Sequence, residues 1–570
     1  MSTEETRQDS EHAADALGPE AGLVPGLDLT GFLGALGWVL RRAAAHPGQV
    51  TGATVGYAAS LAKIGPVALA RCLGADLPPP LPAGPADRRF ADPAWDSNPA
   101  FFALRQSYLA SQDYAGRLLA AGAGDPVADG KARLAAGLLA DALAPTNFLP
   151  TNPAAVKRAF DTGGSSVLAG ARNFAGDLAH NHGRPQQVDR RPFQLGRNLA
   201  ATPGQVVFRN ELMELIQYAP QTPKVHPIPL LASPPWINKY YIMDLAPGRS
   251  FIEWAVQHGH TVFAISYRNP GPGMRDVSLE DYLLDGPRAA LDVIADITGT
   301  HQIDIAGLCL GGALTAMLAA YLAGAGDQRI NSLTLLNTML DYSRPGVLGA
   351  FTDEQTVTRL EQQMAERGVL DGDQMAGTFN LLRANDLIFS YVVSGWLMGQ
   401  RPPAFDILAW NADSTRLPAA MHSFYLRSLY LHNELARGEL TLAGRRLALS
   451  DIKNDTYVVA AINDHIVPWE ASYESIRLLG GDVRYVLSSG GHIAGIVNPP
   501  GPKARYEANE NYPASAPEWR AAATETAGSW WEDWARWAGK RAGPRRSPPP
   551  PMGSDRYPPA GDAPGDYVQH

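Results

Sequence analysis

The chain has 570 residues, 45% of them hydrophobic and 18% charged, so it is long enough for two or more domains and a large buried core. Its formal net charge of -9, from 48 basic and 57 acidic residues, argues against nucleic acid as the main partner. Its two cysteines, Cys72 and Cys309, cannot build a disulfide framework or, alone, a zinc cluster, and they favour a reducing cytoplasm.

The first two hundred residues are predicted to be mainly helical. Residues 1–22 are polar and acidic, lack the pattern of a signal peptide, and are expected to be a disordered tail. The apolar run over 22–40 contains a proline, an aspartate and five glycines, so no transmembrane span is expected there. From residue 29 apolar side chains recur at helical spacing, which predicts a helical domain over 23–204. Cys72 lies in this helical pattern and is predicted to pack in the core.

The pattern changes near residue 205. Short apolar strands alternate with helices, which favours a parallel sheet covered on both faces. The predicted strands are 228–232, 261–266, 302–306, 332–337, 456–462 and 483–487. Between the fourth and fifth strands an aromatic-rich helical stretch predicts a cap inserted at about 338–450. The sheet domain is predicted over 205–540, and the proline-rich segment 541–570 is predicted to be a second disordered tail.

The sequence Gly307-Leu308-Cys309-Leu310-Gly311 follows the third of these strands and precedes a helix. This Gly-x-Cys-x-Gly arrangement is typical of a nucleophile elbow, with cysteine in place of the usual serine. The turn strains its central residue and therefore needs neighbours with small side chains. It would place the sulfur at a helix N-terminus, where the dipole favours a thiolate. The alternative is a glycine-rich turn with a buried, inert cysteine.

An acid and a histidine should follow such a nucleophile in the chain, and Asp464 and His492 do so just past the ends of the last two predicted strands. We therefore expect Asp464 to be the acid and His492 the base. Asp464 could instead cap a helix, and His492 could be a structural histidine in a glycine turn. His465 is a competing base, although a residue adjacent to the acid is poorly placed for that role.

The oxyanion hole is predicted to combine the backbone N–H of Leu310 with one from the loop after the first predicted strand. That loop begins with two prolines, which have no N–H, so Trp236 or Ile237 is the expected donor. A rigid proline turn without catalytic function is the alternative. A cysteine nucleophile suits acyl transfer from a thioester such as acyl-CoA, because exchange between two thioesters is nearly balanced in energy.

With these motifs in view, the chain resembles the poly(3-hydroxyalkanoate) synthases over about residues 89–537, and its long single chain is similar to the one-subunit synthases. The resemblance rests on Gly-Leu-Cys-Leu-Gly-Gly at 307–312, Pro-Pro-Trp-Ile-Asn-Lys-Tyr-Tyr-Ile at 234–242, Ala-Pro-Thr-Asn at 144–147, Asn-Asp-His-Ile-Val-Pro-Trp at 463–469 and Gly-His-Ile-Ala-Gly-Ile-Val-Asn-Pro-Pro at 491–500. The leucines at 308 and 310 differ from the most familiar form of the first motif.

The resemblance implies an α/β-hydrolase fold with a cap, a homodimer, and a cytoplasmic location at the surface of polyester granules. It also implies polymerisation of 3-hydroxyacyl-CoA with release of CoA. Cys309 would carry the acyl group, and His492 would be the base that activates Cys309. Asp464 would either orient His492 or help to activate the incoming hydroxyl. No cofactor and no metal are expected. The alternatives are a thioesterase or polyester depolymerase of the same fold, or an inactive granule-coating protein.

Overall fold

The computed structural model describes residues 29–570 except 83, 85, 86, 122, 123, 373 and 376–382. The predicted N-terminal tail, and the first residues of the predicted helical domain, lie outside this described part. The described residues group into two compact units. The first, called the helical unit, comprises the described residues of Gly26–Asp189 and Gly377–Pro403. The second, called the sheet unit, comprises the described residues of Arg190–Ala376 and Ala404–His570.

The helical unit confirms the predicted helical character of the N-terminal region. Its α-helices are Leu29–Ala45, Pro47–Cys72, Ala94–Ser97, Pro99–Ala120, Pro126–Ala142, Pro153–Asp161 and Ser165–His180. Local sequence explains where they begin: the Asn98 side chain accepts hydrogen bonds from the N–H groups of Ala100 and Phe101, and Pro99 occupies the first helical position. Trp95 and Phe102 are fully buried and form part of this unit's core.

The helix Pro47–Cys72 has two features that set it apart in the helical unit. Cys72 is exposed, because it lies in the last turn of Pro47–Cys72, so the prediction that it packs in the core is wrong. The same helix is the described one that is long and apolar enough to span a bilayer, which by itself is weak evidence for a span. It packs against Pro99–Ala120, where the rings of Tyr57 and Tyr114 stack with centroids 5.0 Å apart.

The sheet unit contains one large sheet, with eleven strands among the described residues. Its strands, in spatial order, are β14 (Thr524–Ala527), β13 (Arg505–Ala508), β12 (Val483–Ser488), β11 (Asp455–Ala461), β6 (Ile330–Leu336), β5 (Ile303–Leu308), β3 (Leu230–Ser233), β4 (Val262–Tyr267), β2 (Met213–Tyr218), β1 (Gly204–Arg209) and β15 (Gly561–Asp562). Two small antiparallel pairs join β7 (Val369–Leu370) to β8 (Leu417–Pro418) and β9 (Thr441–Leu442) to β10 (Arg445–Arg446).

Helices connect these strands. The α-helices of the sheet unit are Phe251–Gln257, Leu279–Leu283, Ala289–Thr298, Leu310–Gly324, Glu354–Arg367, Asp406–Asn411, Ala419–Tyr425, Trp469–Tyr473, Ser475–Leu478, Ala516–Ala521 and Trp530–Arg541. The C-terminal tryptophans Trp530, Trp531, Trp534 and Trp537 are buried, so the helix Trp530–Arg541 packs on the core of the sheet unit.

All six predicted strands are present, and they form the parallel centre of the sheet in the order β12-β11-β6-β5-β3-β4. Every residue of β4 and β5 is buried, which is why these strands are mostly apolar rather than alternating; Ser266 and Asp304 are their polar residues. The sequence analysis did not predict the flanking strands β1, β2, β13, β14 and β15. These pair antiparallel and mix polar with apolar residues, so they lack the continuous apolar signal.

The prediction of a disordered C-terminal tail over 541–570 is wrong. The Val225 N–H donates to the Ser547 carbonyl at 2.9 Å, and the Gly553 N–H donates to the Gln217 side chain at 2.8 Å. Further on, β15 pairs with β1 and Val568 is buried. This proline-rich segment is therefore ordered by hydrogen bonds to the sheet unit and by the short strand β15 at the edge of the sheet.

The boundaries of the two units also differ from the predicted domains. The sheet unit begins at Arg190 rather than at 205, and the Ala200 N–H donates to the Asp244 carbonyl at 3.1 Å. The predicted cap, 338–450, does not form a single unit. Its residues 383–403 group with the helical unit, and its other described residues group with the sheet unit. There the Trp396 indole N–H donates to the Asp177 carboxylate at 2.7 Å.

Candidate active site

Cys309 occupies a strained turn between β5 and the helix Leu310–Gly324. Its backbone has φ 52° and ψ -114°, a conformation that residues with side chains rarely adopt. The turn is fixed on both sides, because the Cys309 N–H donates to the Leu336 carbonyl of β6 at 2.8 Å and its carbonyl accepts from the Ala313 N–H at 3.0 Å. This is the local geometry of a nucleophile elbow.

Three glycines make this turn sterically possible. A Cβ on Gly307 would lie 2.6 Å from the Cα of Gly312, and one on Gly312 would overlap the Thr338 hydroxyl. A Cβ on Gly311 would overlap the Pro234 carbonyl, so its absence allows the loop after β3 to approach the first turn of the helix. The glycines therefore bring strand, helix and loop together around the sulfur.

The strand register brings the three predicted catalytic residues to one edge of the sheet. The strands β5, β6, β11 and β12 are parallel neighbours, with Leu308 opposite Leu336 and Ala461 opposite Ser488. Cys309 follows β5, Asp464 follows β11 and His492 follows β12. Residues far apart in the chain thus meet where these strands end.

Asp464 and His492 form a buried hydrogen-bonded pair. The Nδ1 of His492 donates to Oδ2 of Asp464 at 2.5 Å. The other carboxylate oxygen accepts from the N–H groups of Ile466 and Val467, each at 2.9 Å, so the carboxylate is fixed before it meets the imidazole. Among the described residues, Nε2 of His492 is buried without a hydrogen-bond partner, which leaves it available to a reacting group.

The charge on His492 is set by its two neighbours. Burial lowers the pKa of the imidazole, but the Asp464 carboxylate and the Cys309 sulfur raise it by more, so the pKa rises from 6.5 to about 10. The sulfur is therefore close enough to the ring to influence its protonation. The pair can hold a proton on the imidazole next to a reactive sulfur, as nucleophilic thiol catalysis requires.

The loop that carries His492 is braced by the helix Trp530–Arg541. The indole N–H of Trp530 donates to the Gly495 carbonyl at 2.8 Å, and that of Trp531 donates to the Ile496 carbonyl at 2.9 Å. That this helix braces the loop carrying His492 was not predicted from the sequence. The adjacent tryptophans were the available signal, since each carries a donor that needs a buried acceptor.

The loop after β3 supplies the predicted oxyanion donors. Among the described residues, the N–H groups of Trp236 and Ile237 donate to no backbone oxygen, and Leu310 is the first residue of its helix, where the N–H has no intrahelical acceptor. All three N–H groups thus remain available, and the approach of Pro234 to Gly311 brings the loop to the elbow. Which of Trp236 and Ile237 would act stays a prediction.

Three tyrosines near Cys309 were not identified from the sequence. Tyr342 follows β6, and Tyr425 and Tyr430 lie in the predicted cap; all three are buried, and their rings contact one another edge to face. Burial raises the pKa of each phenol above 10.0, and the Cys309 sulfur acts in the same direction. These phenols therefore stay neutral and form a buried aromatic wall, and Cys309 itself is only 6% exposed.

No group of three or more histidine, cysteine, aspartate or glutamate side chains that could hold a metal ion occurs in the described part of the chain.

Comparison with known proteins gives two family matches. Residues 86–255 match a family model described as the N-terminus of poly-beta-hydroxybutyrate polymerase (PhaC), and residues 241–499 match the alpha/beta hydrolase fold. The second match spans the elbow, the acid and the histidine, and it confirms the predicted fold class.

Curated relatives match over most of their length. A poly(3-hydroxyalkanoate) polymerase of Methylorubrum extorquens is 44% identical, covering 88% of this chain and 84% of that protein. Poly(3-hydroxyalkanoate) polymerase 2 of Ectopseudomonas oleovorans is 43% identical, covering 86% and 87%. The poly(3-hydroxyalkanoate) polymerase subunit PhaC of Cupriavidus necator is 42% identical, covering 85% and 83%.

Replacing the acid should change the protonation of His492. In Asp464→Asn the side-chain oxygen can still accept the two backbone hydrogen bonds, but the charge that raises the pKa of His492 is lost, so we expect that pKa to fall from about 10. Wild-type His492 should stay protonated from about pH 6 to 9, whereas the variant should titrate within that window. The ¹⁵N chemical shifts of selectively labelled histidine report this directly.

The same shift predicts how stability depends on pH. Because the pKa in the folded protein lies above the unfolded value of about 6.5, the stabilisation is complete below that pH and is lost as the pH rises through about 10. Asp464→Asn should lack this contribution. Asp304→Asn, which alters a buried carboxylate in β5, is the control and should leave His492 protonated; an unchanged His492 titration in Asp464→Asn would contradict the assignment.

Proposed function

Because the chain belongs to the poly(3-hydroxyalkanoate) polymerase family, we propose that it joins 3-hydroxyacyl groups from CoA thioesters into a polyester through an acyl intermediate on Cys309. The observation that carries the proposal is the buried Asp464–His492 pair at the edge of the sheet where Cys309 sits in its strained turn. The geometry supplies a nucleophile, a proton carrier and an orienting carboxylate.

In the first step the Cys309 sulfur attacks the thioester carbonyl of the substrate. A bond forms between that sulfur and the acyl carbon, the bond from the acyl carbon to the CoA sulfur breaks, and the departing CoA takes the proton held by His492. The N–H of Leu310, with that of Trp236 or Ile237, would stabilise the negative charge that develops on the carbonyl oxygen. Since one thioester replaces another, the step is nearly neutral in energy.

In the second step a 3-hydroxyl oxygen attacks the Cys309 thioester. His492 accepts the hydroxyl proton, an ester bond forms, and the sulfur is released for another acyl group. The hydrogen bonds of Asp464 support an orienting role, because one of its oxygens is held by His492 and the other by two backbone N–H groups. Direct activation of the hydroxyl by Asp464 would require it to give up one of these partners.

Water must be kept from the acyl thioester for a polymer to grow. The burial of Tyr342, Tyr425 and Tyr430, whose rings contact one another, and of Cys309 itself supports polymerisation over hydrolysis. A thioesterase or polyester depolymerase of the same fold would need water at this position. Product analysis separates the two functions, since one yields polymer and the other free acid.

We further propose that the protein works in the cytoplasm as a homodimer at the surface of its polyester product. The distribution of exposed large apolar side chains supports the surface location. Twelve of the fourteen such residues in the described part of the chain lie between Val55 and Leu178, in the helical unit. An apolar polymer particle would remove this surface from water.

Replacing the nucleophile should abolish turnover. In Cys309→Ala we expect release of CoA from 3-hydroxybutyryl-CoA to fall more than about 10³-fold, because no sulfur can accept the acyl group. Chromatographic quantification of CoA and polymer measures both products. Cys72→Ala is the matched control and should keep normal activity, since Cys72 is an exposed residue of the helical unit. Full turnover by Cys309→Ala would reject the proposal.

Replacing the base should prevent acylation itself. In His492→Gln we expect no rapid burst of CoA release when enzyme and substrate are mixed, because the departing CoA has no proton donor and the thiol no proton acceptor. Quenched-flow measurement of the first turnover tests this. His465→Gln removes the neighbouring imidazole and should keep the burst; the opposite pattern would make His465 the base.

Reducing the apolar surface of the helical unit should weaken binding to granules. Phe160, Leu168 and Leu178 are 82%, 63% and 63% exposed, so their joint replacement by serine should leave the fold intact. Full burial of each side chain contributes about 1.5 kcal/mol or more to the free energy of binding. We therefore expect the ratio of bound to free protein in co-sedimentation with polyester particles to fall at least roughly tenfold. Val347→Ser, in the sheet unit, is the control, and equal binding by both variants would exclude this surface.

A further inference from the structure

A pocket of about 480 Å³ lies on the sheet unit, away from the candidate active site. Trp254 and His258 form one part of its lining, and the C-terminal helix contributes Arg536 and Lys540. Arg545 follows that helix and completes the group of basic side chains. No part of the mechanism proposed above uses this pocket.

The pocket lies at the opposite edge of the sheet from the sulfur. His226, which also lines it, precedes β3, and His258 precedes β4. Cys309 and His492, in contrast, follow the ends of β5 and β12. Since these strands are parallel, residues that precede them and residues that follow them lie at opposite ends of the sheet.

The pocket carries an excess of positive charge that the protein does not neutralise. Within the described residues, Lys540 and Arg545 have no ion-pair or hydrogen-bond partner. Arg536 makes a 3.4 Å contact with Asp533, a carboxylate that Arg484 already holds at 2.8 and 2.9 Å. Such a concentration of cations contrasts with the net charge of -9 for the whole chain.

One carboxylate, that of Glu532, also lines the pocket. Its Oε2 accepts a hydrogen bond from the Ser529 N–H at 3.1 Å, where it helps to cap the C-terminal helix. It therefore offsets only part of the positive charge.

Local contacts place Arg545 and His226 at the pocket. A Cβ on Gly259 would overlap the Cδ of Arg545, and Gly259 has φ +85°, so a glycine is needed for the arginine to cross at this point. The Nδ1 of His226 bonds to the Gly543 carbonyl, which fixes the imidazole at the pocket wall. The rings of Trp254 and His258 lie with centroids 4.0 Å apart at an interplanar angle of 34° and provide an aromatic face.

We propose that this pocket binds a small anion that carries two or more phosphate groups, such as pyrophosphate or a nucleoside triphosphate. Phosphate oxygens are strong acceptors without donors, and the pocket offers guanidinium and ammonium donors from Arg536, Lys540 and Arg545. Several spaced cations suit several linked phosphates better than one carboxylate. The volume lies within the range of small-molecule sites, and the Trp254–His258 face can stack with a nucleobase.

Calorimetric titration of the full-length protein with pyrophosphate and, separately, with ATP tests the proposal. We expect saturable binding of at least one of them, with an affinity that falls as salt rises. Tighter binding of ATP would assign a role to the aromatic face, whereas similar affinities would mean that the phosphates alone are recognised. The absence of binding for both anions up to about millimolar concentration at low salt would overturn the proposal.

Two matched double variants distinguish this pocket from general charge attraction. Lys540→Gln/Arg545→Gln should raise the Kd more than tenfold, because it removes two pocket cations. Arg505→Gln/Arg520→Gln removes the same charge from exposed arginines outside the pocket and should change the Kd less than twofold. Equal weakening by both would overturn the proposal. Lys540→Gln alone, at an exposed position without described partners, guards against loss of fold and should still raise the Kd severalfold.

Discussion

The candidate site depends on one backbone conformation, the positive φ of Cys309 between β5 and its helix. A residue with a side chain adopts this conformation only when its surroundings hold it there. Here the hydrogen bond to Leu336 fixes the turn, and Gly307, Gly311 and Gly312 remove every Cβ that would obstruct it. The strain places the sulfur above the sheet, so reactivity is obtained at the expense of local stability.

The other candidate catalytic residues lie at the same edge of the sheet as the sulfur because the parallel strands share a register. The pairing of β11 with β12 fixes where Asp464 and His492 leave the sheet, and the C-terminal helix then holds the histidine loop through two indole N–H groups. The residues of that helix which bond to the loop lie in its first turn, whereas Arg536 and Lys540 in its later turns line the basic pocket. One helix therefore contributes to both sites.

Much of this arrangement could be predicted from the sequence, for reasons that are local. The elbow needs small residues around Cys309, buried parallel strands are mostly apolar, and Asp464 and His492 lie a few residues past the ends of such strands. The tyrosine wall, the bracing by Trp530 and the order of residues 541–570 could not be predicted in this way. Each depends on contacts between segments far apart in the chain, and the proline-rich composition of the last segment is typical of disorder when taken alone.

The ordered C-terminal segment has a consequence for the sheet. Without it, β1 would present a row of free N–H and C=O groups to solvent, which is a template for joining another chain edge to edge. Pairing with β15 covers part of that row with a strand of only two residues, next to prolines that cannot extend it. On this side the sheet is thereby protected from pairing edge to edge with the sheet of a neighbouring copy.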